Sequence, residues 1–123
     1  LQILRTVPPS LSINYGNGAP GSFFTVTGAD YPADSTVTVT VNNEVLGTVQ
    51  ADGSGSFSFL LTTANADEGR YIVTASASPG AATSFILDAE QPVRAQEGSG
   101  PIFDVPAGIA YTEAIFLPLV AQN

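Results

Sequence analysis

The chain has 123 residues, enough for one ordinary domain with an appendage, and its 44% apolar content excludes wholesale disorder. Charged residues make up only 11%, and 11 acids against 3 arginines give a net charge of −8, which repels phosphate backbones and anionic lipid and excludes nucleic-acid binding. Cys, His and Lys are all missing, so disulfides, thiolate or imidazole metal sites, Ser-His or Cys-His nucleophiles and Schiff-base chemistry are excluded too.

Leu1 to Val7 is a short apolar stretch closed by Pro8-Pro9, an extended, semi-rigid dipeptide. Residues 1–8 are expected to be a linker or the end of a preceding domain. The chain contains no Met and no signal peptide, and the expectation is a fragment or processed product.

Leu11 to Tyr15 alternates and reads as a first strand; the Gly- and Pro-rich residues 16–21 read as a turn. Ser22 to Thr27 reads as a second strand with Phe24 and Val26 on one face. Residues 28–35 read as a loop. Thr36 to Val41 alternates threonine with valine through six residues, so three valines share one face and three threonines the other. That is the pattern of a strand buried on one side and wet on the other.

Asn42-Asn43-Glu44 reads as a tight turn into a strand over 45–50, the two forming a hairpin. After the turn Ala51 to Gly55, Ser56 to Leu61 alternates with Phe57, Phe59 and Leu61 together. A polar loop over 62–68 leads to a strand from Tyr71 to Ala77, and Thr83 to Asp88 reads as another, with Phe85 and Leu87 on one face.

About seven short strands at 8–12-residue spacing, with no 3.6-residue period and no internal repeat, predict an all-β antiparallel sandwich. The expected core is Ile13, Phe24, Val26, Val37, Val39, Val41, Phe57, Phe59, Leu61, Tyr71, Val73, Phe85 and Leu87. Loops 29–35, 51–55 and 78–82 are expected at one end, loops 16–21, 42–44 and 63–69 at the other. Residues 89–101 have little to bury and read as a flexible connector, and Ile102 to Val105 as a short strand. Residues 102–123 are expected to form a hydrophobic tail docking as an edge strand. Its run Ala114 to Ala121 is too short to span a bilayer and contains Pro118.

Residues 9–88 resemble the bacterial immunoglobulin-like modules of surface and secreted proteins, of the IPT/TIG or related Big type. The resemblance rests on Gly18-Ala19-Pro20-Gly21-Ser22, Val26-Thr27-Gly28-Ala29-Asp30-Tyr31-Pro32, the stretch Val39 to Thr48, Asp52-Gly53-Ser54-Gly55-Ser56-Phe57 and Gly69 to Ala75. It covers about two-thirds of the chain, and its motifs are those of strands and turns, which specify fold better than function. Asn43 stands where such modules often carry Gly, a departure that the tolerance of Asn for the left-handed region absorbs.

Candidate chemistry is sparse. Paired carboxylates can hydrolyse glycosides, but such pairs work in clefts among aromatic platforms; this chain has no Trp, and its acids lie in turns, strand ends and the tail. No catalytic residue and no cofactor are expected. Asp30, Asp34 and Asp52 fall in loops at one end and are the calcium candidates, set against the ordinary capping of turns by Asp. Tyr71, following Gly69-Arg70, occupies the place of a corner tyrosine whose hydroxyl bonds upstream backbone. Tyr15, Tyr31 and Tyr111 form no sugar platform in the sequence.

Ile115, Phe116, Leu117, Leu119 and Val120 are the interaction candidates, since a contiguous exposed apolar run is unusual on soluble monomers. Three readings stay open for them: an edge strand folded back on its own sandwich, a strand paired with another copy, or a terminal signal read by a sorting or anchoring system. Pro118 suits an edge strand and not a central one. The resulting expectation is a non-catalytic spacer or anchoring module, secreted or at the cell surface. Its partners would be the neighbouring domains of a larger protein and, through the tail, other copies of itself. The alternative is a glycan- or protein-binding module using end loops or the tail.

Overall fold

The computed structural model describes residues 8–76 and 80–111. Among them there is no helix; nine strands form two sheets. The strands are β1 (Ser10–Ile13), β2 (Asn17–Gly18), β3 (Phe23–Ala29), β4 (Thr36–Val41), β5 (Glu44–Gln50), β6 (Phe57–Thr62), β7 (Gly69–Ser76), β8 (Ala81–Leu87) and β9 (Ile102–Asp104). One sheet has the order β1-β3-β6-β9 and the other β2-β8-β7-β4-β5, and the two face each other as a β-sandwich.

Alternation dictates which face each strand buries. In β4 the three valines are fully buried while the threonines face outward. Phe24 and Val26 of β3, Phe59 and Leu61 of β6, Tyr71 and Val73 of β7, and Phe85 and Leu87 of β8 complete the interior. Phe85 stacks on Phe24 of the opposite sheet with centroids 4.3 Å apart and on Tyr71 at 5.1 Å. Such aromatic pairs add about 0.5–1.5 kcal/mol each beyond the burial itself. Every expected core residue is fully or nearly buried except Ile13, which is half-buried and packs against the core from edge strand β1.

The β4–β5 hairpin turns on Asn42 and Asn43, with φ of 48° and 71°, the paired left-handed residues of a two-residue loop that matches strand twist. Asn42 does more than turn. Its Nδ2 donates to the carbonyls of Arg70 (2.9 Å) and Ile109 (2.8 Å), and its Oδ1 accepts from Ile72 N–H at 2.7 Å. Further along, Leu46 forms a bulge: Val39 pairs with Gly47 and Thr40 with Val45. A bulge on an edge strand breaks the regular row of free backbone groups.

Two pairings differ from the antiparallel expectation. β2 runs parallel to β8, and β9 parallel to β6. β2 lies in the segment read as a turn, because two residues rich in Gly and Asn carry no strand pattern. Gly18 is buried there, and a Cβ would meet Ser22 Oγ at 2.7 Å.

Residues 89–101 were expected to be a flexible connector; the structure shows them hydrogen-bonded along the sandwich. Pro92 O accepts from Ala19 N–H, Arg94 O from Phe23 N–H, and Pro101 O from Leu60 N–H. On the outer face, the hydroxyls of Thr25 and Ser58 donate to the carbonyls of Glu97 (2.6 Å) and Ser99 (2.9 Å). This strap crosses the outside of the first sheet, the same face to which Leu60 points; Leu60 is fully buried although it faces away from Phe59 and Leu61.

The strap delivers β9. The Phe103 ring lies over Gly47, where a Cβ would come within 2.6 Å of it, and meets Phe59 edge-on at 5.7 Å. Val105 is fully buried. Ile109 and Ala110 then pack on the core, and Tyr111 and Arg70 exchange two backbone hydrogen bonds of 2.7 and 3.1 Å. Residues 102–111 therefore cross from one sheet to the other and close that end of the sandwich.

Candidate functional site

The loop grouping expected from strand alternation is present where the residues are described. At one pole, Tyr31 N–H donates to Gly55 O, Asp34 N–H to Asp52 O and Ala51 N–H to Ser35 O, so loops 30–35 and 51–56 lie together. At the other pole, Gly21 N–H donates to Thr63 O, and Asn42 reaches Arg70 and Ile109.

The first pole holds Asp30, Asp34 and Asp52. Asp30 and Asp34 adopt φ of 65° and 59°, the turn conformation that short polar side chains tolerate. One carboxylate oxygen of Asp52 accepts from Ser56 N–H (3.0 Å), Ser54 Oγ (2.7 Å) and Ser54 N–H (2.9 Å). These bonds hold the Asp52 carboxyl below its ordinary range, the Ser56 amide contributing most. The loops meet, but among the described residues no group of three acidic side chains could hold a metal ion. Asp52 acts on its own turn.

The sequence missed the residue that organises this pole. Tyr31 lies in a loop, yet its ring is buried, edge-on to Phe57 at 4.9 Å, with its hydroxyl donating to Ala75 O at 2.9 Å. Burial pushes its pKa up. Gly55 makes room: its φ is +81°, and a Cβ there would press on the Tyr31 carbonyl. A tyrosine between Asp30 and Pro32 carries no periodic signal, so only the structure reveals it.

At the second pole the Tyr71 hydroxyl donates to Asp67 O at 2.6 Å, the corner contact expected of it. Its ring is fully buried while the hydroxyl bond is part-exposed. Burial, with the Asp67 charge adding to it, pushes its pKa up to about 12. Asp67 Oδ2 accepts from Gly108 N–H at 2.8 Å, and Glu68 accepts from Ala89 N–H. Ser22 and Thr63, both fully buried, are satisfied within the same region: Ser22 Oγ donates to Ala19 O and accepts from Arg94 N–H, and Thr63 Oγ1 donates to Ser22 O. The Arg94 guanidinium lies 4.2 Å over the Tyr15 ring and donates to Asn17 O (3.0 Å) and Oδ1 (2.9 Å). Tyr15 OH in turn donates to Glu97 at 3.2 Å. Arg94, Tyr15, Asn17 and Glu97 fasten the strap to the sandwich.

Chemically, these side chains are spent on the fold. Asp52, Asp67, Glu68, Asp88 and Glu97 all accept hydrogen bonds from within the chain. Among the described residues there is no pocket, and the large exposed apolar side chains, Val45, Ile72, Ile86, Val93 and Ile102, include no aromatic ring. Ile115, Phe116, Leu117, Leu119 and Val120 lie outside the described residues. Compared with family models, with curated proteins and with solved structures, the chain matches none. Among the described residues no helix is long and apolar enough to cross a membrane.

Proposed function

We propose that this chain is a non-catalytic, immunoglobulin-like spacer module of a bacterial secreted or cell-surface protein, set in line between neighbouring domains. One observation carries the reading: the chain enters and leaves the sandwich at opposite poles. Ser10 pairs with Ala29, beside loop 30–35, whereas Tyr111 pairs with Arg70 at the far end, beside the Asn42 turn. Modules built this way string end to end, and each adds its own length. β7, of 8 residues, sets that length at about 26 Å or more.

The strand order supports the immunoglobulin-like part. With β1, β3 and β6 taken as A, B and E, and β4, β5, β7 and β8 as C, C′, F and G, the sheets have the neighbours of a variable-type sandwich. The Tyr71–Asp67 contact matches a tyrosine corner. A surface solvated by hydroxyls and amides accords with an extracellular setting.

Small-angle scattering on one, two and three copies joined in tandem tests the in-line reading. The maximum dimension is expected to grow by about one module length, roughly 30 Å, with each copy. Compact particles, with copies lying side by side, would overturn it.

A further inference from the structure

We propose that the module is built to bear tension along its long axis, each sheet holding the incoming and outgoing chain by ladders that are pulled in shear. The proposal rests on the in-line spacer reading and adds to it a mechanical task.

The path of the load follows from strand directions. Tension on the incoming chain draws β1 and then β2 back toward the first pole. Tension on the outgoing chain draws Tyr111, and behind it β9, toward the second. In the first sheet β1 and β9 are the two edges, so the pull crosses the β1/β3, β3/β6 and β6/β9 ladders. In the second sheet β2 holds β8, β8 holds β7, and β7 holds Tyr111.

In every one of these ladders the force lies along the strands, while the hydrogen bonds run across them. Rows of bonds loaded in that direction share the force and must fail together. A ladder opened from one end fails one bond at a time. The β4/β5 ladder is not among those crossed by either path, and the hairpin meets the outgoing chain only through packing at Gly47 and side-chain bonds from its Asn42–Asn43 turn.

Side chains strengthen the outgoing anchor. β9 has only three residues, but Phe103 is wedged between Gly47 and Phe59, and Val105 behind it is fully buried. Asn42 grips Ile109 O and Asp67 grips Gly108 N–H. Sliding β9 toward the second pole drags a ring and an isopropyl group out of the core, which backbone bonds alone would not require.

Single-molecule pulling on the full chain tests this, since forced unfolding reports the barrier along the pulled direction. The chain has no native Cys, so an Asn65→Cys thiol provides a unique internal handle at the second pole. Pulling between the two termini is expected to need a severalfold higher force than pulling between position 65 and the C-terminus, which opens β6/β9 from one end. Phe103→Ala is expected to lower the terminal-pull force, whereas Val49→Ala, in the β4/β5 ladder that neither path crosses, leaves it in place for a similar loss of melting temperature. Equal forces in the two directions overturn the proposal; so do substitutions that lower force only in proportion to thermal stability. If Phe103→Ala does not fold, the two directions compared on the otherwise unaltered chain still decide. Tandem copies that lengthen in scattering while pulling forces are equal in both directions would leave the spacer reading standing and remove the tension claim alone.

Discussion

Tyr71 joins a fully buried ring to a hydroxyl that closes the loop before β7. Tyr71→Phe keeps the ring and removes the bond to Asp67 O, so it is expected to cost about 1 kcal/mol in urea denaturation. The raised pKa gives a pH dependence of definite sign. An unfolded tyrosine ionises near pH 10, whereas folded Tyr71 stays neutral until about 12. The stability it contributes is therefore whole below about pH 10 and is lost as pH rises toward 12. Urea midpoints are expected to fall across that window, and to fall less in Tyr71→Phe. Asn42 is the other residue on which several elements converge. Asn42→Ala removes three hydrogen bonds and places a Cβ-bearing residue without a compensating polar group at φ 48°. A loss of about 2–3 kcal/mol in the same assay is expected.

Among the elements, β3 to β8 were legible because side-chain alternation writes burial directly into the sequence, as the valines of β4 show. The strap was not legible. It is held through the carbonyls of Pro92, Arg94, Glu97, Ser99 and Pro101, and a carbonyl is the same on every residue. The outward hydroxyls of Thr25 and Ser58 read as solvated, yet they are among the strap's fastenings. Val105 and Phe103 escaped the expected core because the run Ile102 to Val105, with Ile102 on its other face, is too short for alternation to show which face is buried. Val105→Ala is expected to cost about 2 kcal/mol, two methylenes of burial plus a cavity. Truncation after Gly100 removes β9, Phe103 and Val105 together and is expected to cost more than either substitution, with a lowered melting temperature measured by circular dichroism.

At the scale of the molecule, the candidate site follows the same division. The sequence placed Asp30, Asp34 and Asp52 at one pole correctly, because alternating connections fix which loops are neighbours. It left open what Asp52 does, since that depends on three donors within its own turn. The opposite-pole geometry depends on residues 102–111: a short strand docking at an edge was expected there and β9 is one, but the burial of Val105 and the Arg70–Tyr111 bridge to the other sheet were not expected. That geometry is the centre of the account, and a distance measures it most directly. Pulsed electron paramagnetic resonance between labels at Pro8→Cys and Ala107→Cys, both exposed positions, reads the separation of the two poles. A narrow distribution near the length of β7, about 26 Å, is expected. A short distance, with both labels at one pole, or a broad distribution with residue 107 detached from the sandwich, would contradict it.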